Sequence, residues 1–152
     1  MSGTKLLAEN RKARHEYFLT EPLECGMVLE GTEVKSMKGA QFSFNDAWIE
    51  IDNNGELWIR NLHINPYKQA GKDNNHDPDR RKKLLAQKKE IKRLRRQCDE
   101  KGFTLIPSDF HLKNGRIKVQ ICLAKGKKDY DKRATIKEKD VRRDLDRELG
   151  RR

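Results

Sequence analysis

A polar segment near the start of the chain brings cations together with hydrogen-bonding side chains. The segment reads Asn10-Arg11-Lys12-Ala13-Arg14-His15-Glu16-Tyr17. Arginine and lysine bind phosphates, whereas asparagine, histidine and tyrosine hydrogen-bond to riboses and bases or stack on them. This mixture of residue types predicts contact with a nucleic acid.

His15 and Glu16 are also the residue types that acid–base catalysis uses, so a small RNA-cleaving nuclease is the alternative function. Neighbours on a strand point to opposite faces, which makes a direct pairing of the two side chains awkward. The chain lacks the phosphate-loop, dinucleotide-binding, nucleophile-elbow and zinc-protease motifs. We therefore predict no catalytic residue, no metal and no cofactor.

Most of the net charge of +11 comes from one short segment. Residues 80–96 hold 10 basic side chains against Glu90 alone, whereas residues 1–79 sum to −4. A field of this kind attracts polyanions, of which nucleic acid is the commonest in a cytosol. The alternative is a solvated helix face that only keeps the protein soluble.

The basic segment is predicted to belong to one long helix over about residues 78–101. Asp77-Pro78 is a good helix start, Leu84, Ile91, Leu94 and Cys98 fall on one face, and Gly102 is placed to end the helix. In such a helix the cations from Arg80 to Lys83 lie near the positive N-terminal end of the helix dipole, where positive charge is unfavourable. An unfavourable local arrangement of this kind suggests a function.

Two Asn-Gly pairs between alternating apolar segments predict β-hairpins, at Asn54-Gly55 and at Asn114-Gly115. With Tyr17–Leu19, Met27–Leu29 and Phe103–Ile106 we expect about six short strands, including strand character near Val34. Trp48 and Trp58 lie on strands, where they either stack on bases or pack in the sheet.

Strands around one inserted helix predict a mainly β fold with helices: an antiparallel barrel like the oligonucleotide-binding (OB) fold, over residues 1–124. An antiparallel sandwich is the other possibility. Residues 125–152 change in composition and form a basic tail. The tail has few apolar side chains, so we predict that it is disordered when free and helical when bound. A C-terminal helix docked on the barrel is the alternative.

Composition limits the cellular locations in which the protein is expected. No apolar run is long enough for a membrane span, and the first residues lack the apolar core of a signal peptide. Three cysteines, Cys25, Cys98 and Cys122, lack disulfide or zinc spacing. A cytoplasmic protein with no membrane partner is expected, and we predict a monomer.

Five separated motifs, in order, resemble the SmpB family of SsrA-binding proteins, the tmRNA partners of bacterial trans-translation. The resemblance covers nearly the whole chain. The motifs are Asn10–Tyr17, Gly31–Ser36, Asn65–Tyr67, Asp77–Leu85, and Ala124–Lys128 with Asp131–Arg133. Small departures occur at Met37-Lys38, at Ala86 and at Tyr130, where some family members have histidine.

The resemblance implies an OB-type barrel that binds the tRNA-like domain of tmRNA, and a tail that enters the decoding site and mRNA channel of a stalled 70S ribosome. Protein and RNA together would resemble a tRNA, with the protein replacing the anticodon arm and with elongation factor Tu as an indirect partner through tmRNA. Implied tmRNA contacts are Asn10, Glu24 and Leu85, to which charge and neighbourhood add Arg14 and Lys35. Implied ribosome contacts are His15, Lys127, Lys128, Tyr130, Asp131, Lys132 and Arg133. A basic structural protein of the ribosome is a third possible function.

Overall fold

The computed structural model describes residues 3–127, which form a mainly antiparallel β structure with three α-helices. The strands are β1 (Thr4–Glu9), β2 (Tyr17–Met27), β3 (Phe42–Ser43), β4 (Trp48–Ile51), β5 (Leu57–Arg60), β6 (His63–Ile64), β7 (Lys82–Leu85), β8 (Thr104–Lys113) and β9 (Arg116–Gly126). The helices are α1 (Arg11–Glu16), α2 (Gly31–Lys38) and α3 (Lys88–Lys101), with a 3-10 turn at Lys68–Ala70.

Seven strands form one sheet in the order β1-β8-β9-β2-β7-β5-β4, and β3 pairs with β6 in a second, two-stranded sheet. Every pairing in these sheets is antiparallel. Although β4 lies last in the order, it also packs against β8. The large sheet therefore curls into the predicted partly open barrel.

The inner faces of the strands supply the larger of two buried apolar clusters. Its centre contains the ring of Phe110, which is 0% exposed and lies 5.2 Å and 5.1 Å from the ring centres of Phe42 and Phe44. Ile91 and Leu94 attach α3 to the same core. Burying apolar surface of this kind supplies the main favourable free energy of folding.

Both predicted hairpins are confirmed. β8 and β9 are joined through Asn114 and Gly115, with φ angles of 54° and 77°, which suit the tight turn that matches strand twist. β4 and β5 are joined through a turn in which the carboxylate of Asp52 accepts the N–H groups of Asn54 and Glu56, both at 2.9 Å. The two hairpins thus depend on local turn chemistry.

The predicted helix over 78–101 is correct at its end and wrong at its start. Gly102 ends it with φ 68°, donating its N–H to Cys98. Its first half is instead a turn at Asp77, where Arg80 N–H bonds back to the Asp77 carbonyl, followed by strand β7. β7 pairs with both β2 and β5, so main-chain bonds to two neighbours outweigh the helical pattern. The cations that oppose the dipole of α3 are therefore Lys88 and Lys89.

Other expectations also need correction. Val34 lies in helix α2 and Arg11–Glu16 form helix α1, so neither segment is a strand. Residues 3–127 contain nine strands where about six were expected. The barrel boundary at residue 124 is two residues too early, because Phe18 pairs with Lys125 and Tyr17 with Gly126. The predicted order and helicity of the tail from residue 128 lie outside the described residues.

Within residues 3–127, the longest helix is α3, and none of the helices has the length and apolar character that a membrane crossing requires.

Candidate nucleic-acid interface

Two cations of the basic segment are structural. Lys82 is 0% exposed, and its Nζ donates to the carbonyls of Leu62 at 2.6 Å and Pro78 at 3.2 Å. Burial lowers the pKa of Lys82, because the ammonium loses its hydration, although the charge of Glu33 opposes the change. Arg80 donates to the fully buried carboxylate of Glu33 on α2. Lys82 thus fixes the start of β7, and Arg80 ties the segment before β7 to α2.

Four other cations of the segment line a groove between α3, β7 and the β4–β5 turn. This basic groove, of about 610 Å³, is lined by Lys83, Lys88, Lys92 and Arg95. One acid, Glu56, also lines it and pairs with Lys83 at 3.3 Å. Arg95 also has a partner, since its Nε lies 4.0 Å from Asp99 Oδ2. Lys88 and Lys92 form no ion pair with any residue in the described part of the chain, and their field attracts an anionic ligand such as a phosphate backbone.

Glu24 and Leu85, two of the predicted contact residues, line a second groove, which adjoins the basic groove because Leu85 lines both. β2 and β7 pair Gly26 with Leu85, and Glu24 lies two residues before Gly26. Both predicted residues line one groove, together with Lys118 of β9. Leu85 is 52% exposed, so its side chain is accessible to a partner. Exposed apolar area beside opposite charges suits a specific contact with a partner.

A polar cluster supports the Glu24 carboxylate. His111 Nε2 lies 3.3 Å from Glu24 Oε2, and Lys113 Nζ lies 3.5 Å from Glu24 Oε1. The other ring nitrogen of His111 lies 2.7 Å from Asp109 Oδ1. Burial raises the pKa of Glu24, but the bond from His111 and the charge of Lys113 outweigh it and hold that pKa below its ordinary value. His111 itself is buried on β8.

Asn10 is a structural cap. Its Oδ1 accepts the N–H of Ala13 at 3.2 Å, which caps α1, and its Nδ2 donates to the Pro107 carbonyl at 2.9 Å. The residue is 5% exposed, and its amide therefore fixes α1 on β8. A direct contact of Asn10 with RNA stays a prediction, and the contribution seen here is to orient the helix.

Helix α1 and the last described residues lie side by side. Lys127 donates its main-chain N–H to the Glu16 carbonyl at 2.8 Å, and its Nζ donates to the Arg14 carbonyl at 3.2 Å. The Arg14 guanidinium pairs with Glu9. Arg14, His15 and Lys127 thus share one end of the barrel, the end from which the chain continues toward Lys128, Tyr130, Asp131, Lys132 and Arg133. Those five lie outside the described residues.

Lys35 is separate from both groups. It is exposed on α2, which packs near β6. The helix is fixed by a capping box, in which Glu33 accepts the Glu30 N–H at 2.8 Å, and by the buried Glu33–Arg80 pair. Sequence reasoning did not identify this anchoring, since nothing local marks Glu33 as buried.

The two tryptophans occupy different surroundings. Trp58 donates its Nε1–H to Asp52 at 2.8 Å, and the Arg81 guanidinium lies 3.9 Å from its ring centre. This ring is therefore already stacked. Trp48 is 38% exposed and lines a pocket with Lys12 and Tyr17. Trp48 is thus the tryptophan with a ring face open to solvent.

The catalytic alternative finds no support in this geometry. The His15 ring makes no hydrogen bond or ion pair to any other residue in the described part of the chain. Between residues 3 and 127 there is also no group of three residues suited to holding a metal ion. The arrangement consists of charged and polar contact surfaces on a rigid sheet.

Together, the curled antiparallel sheet, the basic groove and the polar surface around Glu24 define a small β-barrel protein built to bind an anionic partner. The chain belongs to the SmpB family: the model described as SmpB protein matches residues 7–151. This assignment confirms the family resemblance drawn from the five motifs.

Relatives agree over nearly the full length. An SsrA-binding protein of Treponema denticola is 51% identical over 145 residues, which is 95% of this chain and 93% of the relative. One of Borreliella burgdorferi is 47% identical over 149 residues, 98% of each chain. A solved structure described as "tmRNA-SmpB: a journey to the center of the bacterial ribosome" matches with a TM-score of 0.66 and 41% identity, covering 80% of this chain and 85% of that one.

Family membership decides between two of the functions considered. SmpB proteins are an RNA-binding family and not enzymes, which rejects the nuclease hypothesis for His15. The mainly β architecture expected from the hairpins is likewise confirmed by the solved relative.

Proposed function

We propose that this protein is the tmRNA-binding adaptor of trans-translation, which carries tmRNA to stalled ribosomes. The proposal rests on the match of the family over residues 7–151. The basic groove of the described surface supports it, because such a groove attracts a polyanion. An A-form RNA offers phosphates and riboses rather than readable base edges in its deep major groove. A rigid sheet with a basic groove suits recognition of such a shape.

The barrel provides the tmRNA contacts in this proposal. Glu24 and Leu85 share one groove with Lys118, and the basic groove adjoins the same strand β7. The carboxylate accepts hydrogen bonds from riboses or bases, the leucine packs on a sugar or base face, and the cations neutralise phosphates. Arg14 and Lys35 contribute further positive charge, and Asn10 acts by holding α1.

The end of the barrel that carries α1 faces the ribosome in this proposal. His15 and Lys127 lie together there, and the tail from residue 125 to 152 leaves from that end. Lys128, Tyr130, Asp131, Lys132 and Arg133 then lead the tail along ribosomal RNA, and the tail becomes helical in the decoding site and mRNA channel. A helical segment from 132 to 149 would span about 27 Å. The protein so replaces the anticodon arm that tmRNA lacks.

The proposed setting is the bacterial cytoplasm, with the protein acting as a monomer. Its direct partners are tmRNA and the stalled 70S ribosome. Elongation factor Tu joins indirectly, through tmRNA.

The first test compares the RNA ligands. Full-length protein is titrated into labelled tmRNA, ordinary tRNA and an unrelated RNA duplex at one salt concentration. Selective binding of tmRNA is expected, because shape and the Glu24–Leu85 groove add to the general attraction of charge. Equal affinity for the three RNAs would remove the specific partner. Co-purification with translating and stalled ribosomes alike would favour the structural ribosomal protein.

A second test separates the barrel from the tail. Deletion of residues 130–152 should leave tmRNA affinity close to that of the full chain and abolish tagging of stalled products in a reconstituted translation reaction. The intact chain with Lys72→Gln is a suitable control, since that exposed side chain lines neither groove and is not among the proposed contacts. A deletion that weakens tmRNA binding as strongly as tagging would contradict the two-part scheme.

A further inference from the structure

The His111 ring lies between two carboxylates. Its Nδ1 is 2.7 Å from Asp109 Oδ1, and its Nε2 is 3.3 Å from Glu24 Oε2. The residue is 8% exposed, whereas Glu24 is on the surface. Asp109, His111 and Lys113 alternate along β8 with the core residue Phe110, so the three share the outer face of the sheet.

These two distances bear on how many protons the His111 ring carries. An ionised carboxylate accepts hydrogen bonds and donates none, and a neutral imidazole has one donor nitrogen and one acceptor nitrogen. A neutral His111 would therefore direct a lone pair at one of the two carboxylates, whichever tautomer it adopts. While both carboxylates are ionised, both contacts are hydrogen bonds when each ring nitrogen carries a proton.

Four charged side chains face the His111 ring. On its own strand these are Asp109 and Lys113, and the opposing residue on β9 is Lys118. β2 contributes Glu24, and the opposing residue on β1 is the uncharged Leu6. The formal charges of the five titratable side chains sum to +1 when the ring is charged and to zero when the ring is neutral.

We propose that His111 is a positioning residue that holds the Glu24 carboxylate for RNA and makes RNA affinity fall as the pH rises. The inference rests on the proposed function, since it concerns how Glu24 meets tmRNA. The charged ring fixes Glu24 from one side while Lys113 fixes it from the other. Loss of the ring proton removes one charge-assisted bond, frees the exposed carboxylate, and takes one positive charge from a surface that meets phosphates.

The experiment measures tmRNA affinity of the full-length protein at about pH 6 and about pH 8, the range over which histidine changes charge. The test variant is His111→Gln, whose amide can donate to one carboxylate and does not titrate. The matched control is His63→Gln, because His63 also pairs with an aspartate, Asp79, at 2.8 Å but lies outside this cluster. Since one charge-assisted bond changes, we expect wild-type affinity to fall by roughly tenfold across the range.

The control should show the same fall, and His111→Gln should bind with one weak affinity at both pH values. Glu24→Gln, at an exposed position, provides a second variant that should show a smaller pH dependence, because only the change in the charge of the surface then remains. Long-range ¹H–¹⁵N spectra of the free wild-type protein at about pH 6 should show both His111 nitrogens protonated.

An undiminished pH dependence in His111→Gln, or a ring with a single proton at about pH 6, would overturn the positioning role and leave the adaptor function standing. A wild-type protein that does not prefer tmRNA to tRNA at either pH would instead overturn the adaptor function. The two failures are therefore distinguishable.

Discussion

Removing two cations of the basic groove tests whether the position of the charge, and not its total, sets RNA affinity. Lys88 and Lys92 line the groove, and both are exposed. The double variant Lys88→Gln, Lys92→Gln lowers the formal net charge from +11 to +9. The double variant Lys68→Gln, Lys72→Gln makes the same change outside the groove, in the exposed segment after Tyr67.

The magnitude follows from counterion release. Each phosphate contact contributes about 0.7–0.9 to the slope of log affinity against log salt, so two lost contacts reduce the slope by about 1.4–1.8. Between 50 and 200 mM salt, a fourfold change, the decline of affinity should then be about tenfold smaller than in the wild type. Fluorescence anisotropy of labelled tmRNA over a salt series measures the slope. Equal slopes for the two double variants would refute the assignment of the groove as a phosphate-binding surface.

Three further predictions concern stability and reactivity. Phe110→Ala should lower the free energy of unfolding by about 3–5 kcal/mol in urea titrations, because it empties the centre of the aromatic cluster; a loss well below this range would contradict a tight core. Burial, reinforced by the charge of Glu24, raises the pKa of Cys25 to about 12, so a thiol reagent at about pH 8 should label it only after unfolding. Backbone bonds from Glu56 and the indole bond of Trp58 lower the pKa of Asp52, and the stability contribution of Asp52 is therefore present above its ordinary pKa and lost as the pH falls through the lowered value. Asp52→Asn should weaken the acid sensitivity of the unfolding midpoint, and an unchanged acid limb would argue against the contribution.

Much of the fold could be predicted because its signals are local. The Asn114-Gly115 hairpin, the Asn54-Gly55 hairpin and the end of α3 at Gly102 each depend on a few adjacent residues whose backbone preferences match the turn or cap. The basic segment could be recognised as a charge excess in the same way.

The start of α3 could not be predicted, because residues 82–85 take their conformation from strands on both sides. The same four residues, Lys-Lys-Leu-Leu, fit a helix by pattern, and only pairing with β2 and β5 makes them a strand. β1 was missed for a related reason: it is an edge strand with no buried side chain, and its pairing with β8 sets its conformation.

The candidate site also has some features that local sequence sets and others that only long-range contacts set. The sequence by itself determined the family, the hairpins and the excess of positive charge, since these depend on residue identity and on neighbours along the chain. Only the tertiary structure decided that Lys82 is buried, that Arg80 pairs with the buried Glu33, and that Glu24 meets His111 across 87 residues of sequence. Burial and long-range contact are properties of the assembled sheet, because they depend on which strands become neighbours and not on any one segment.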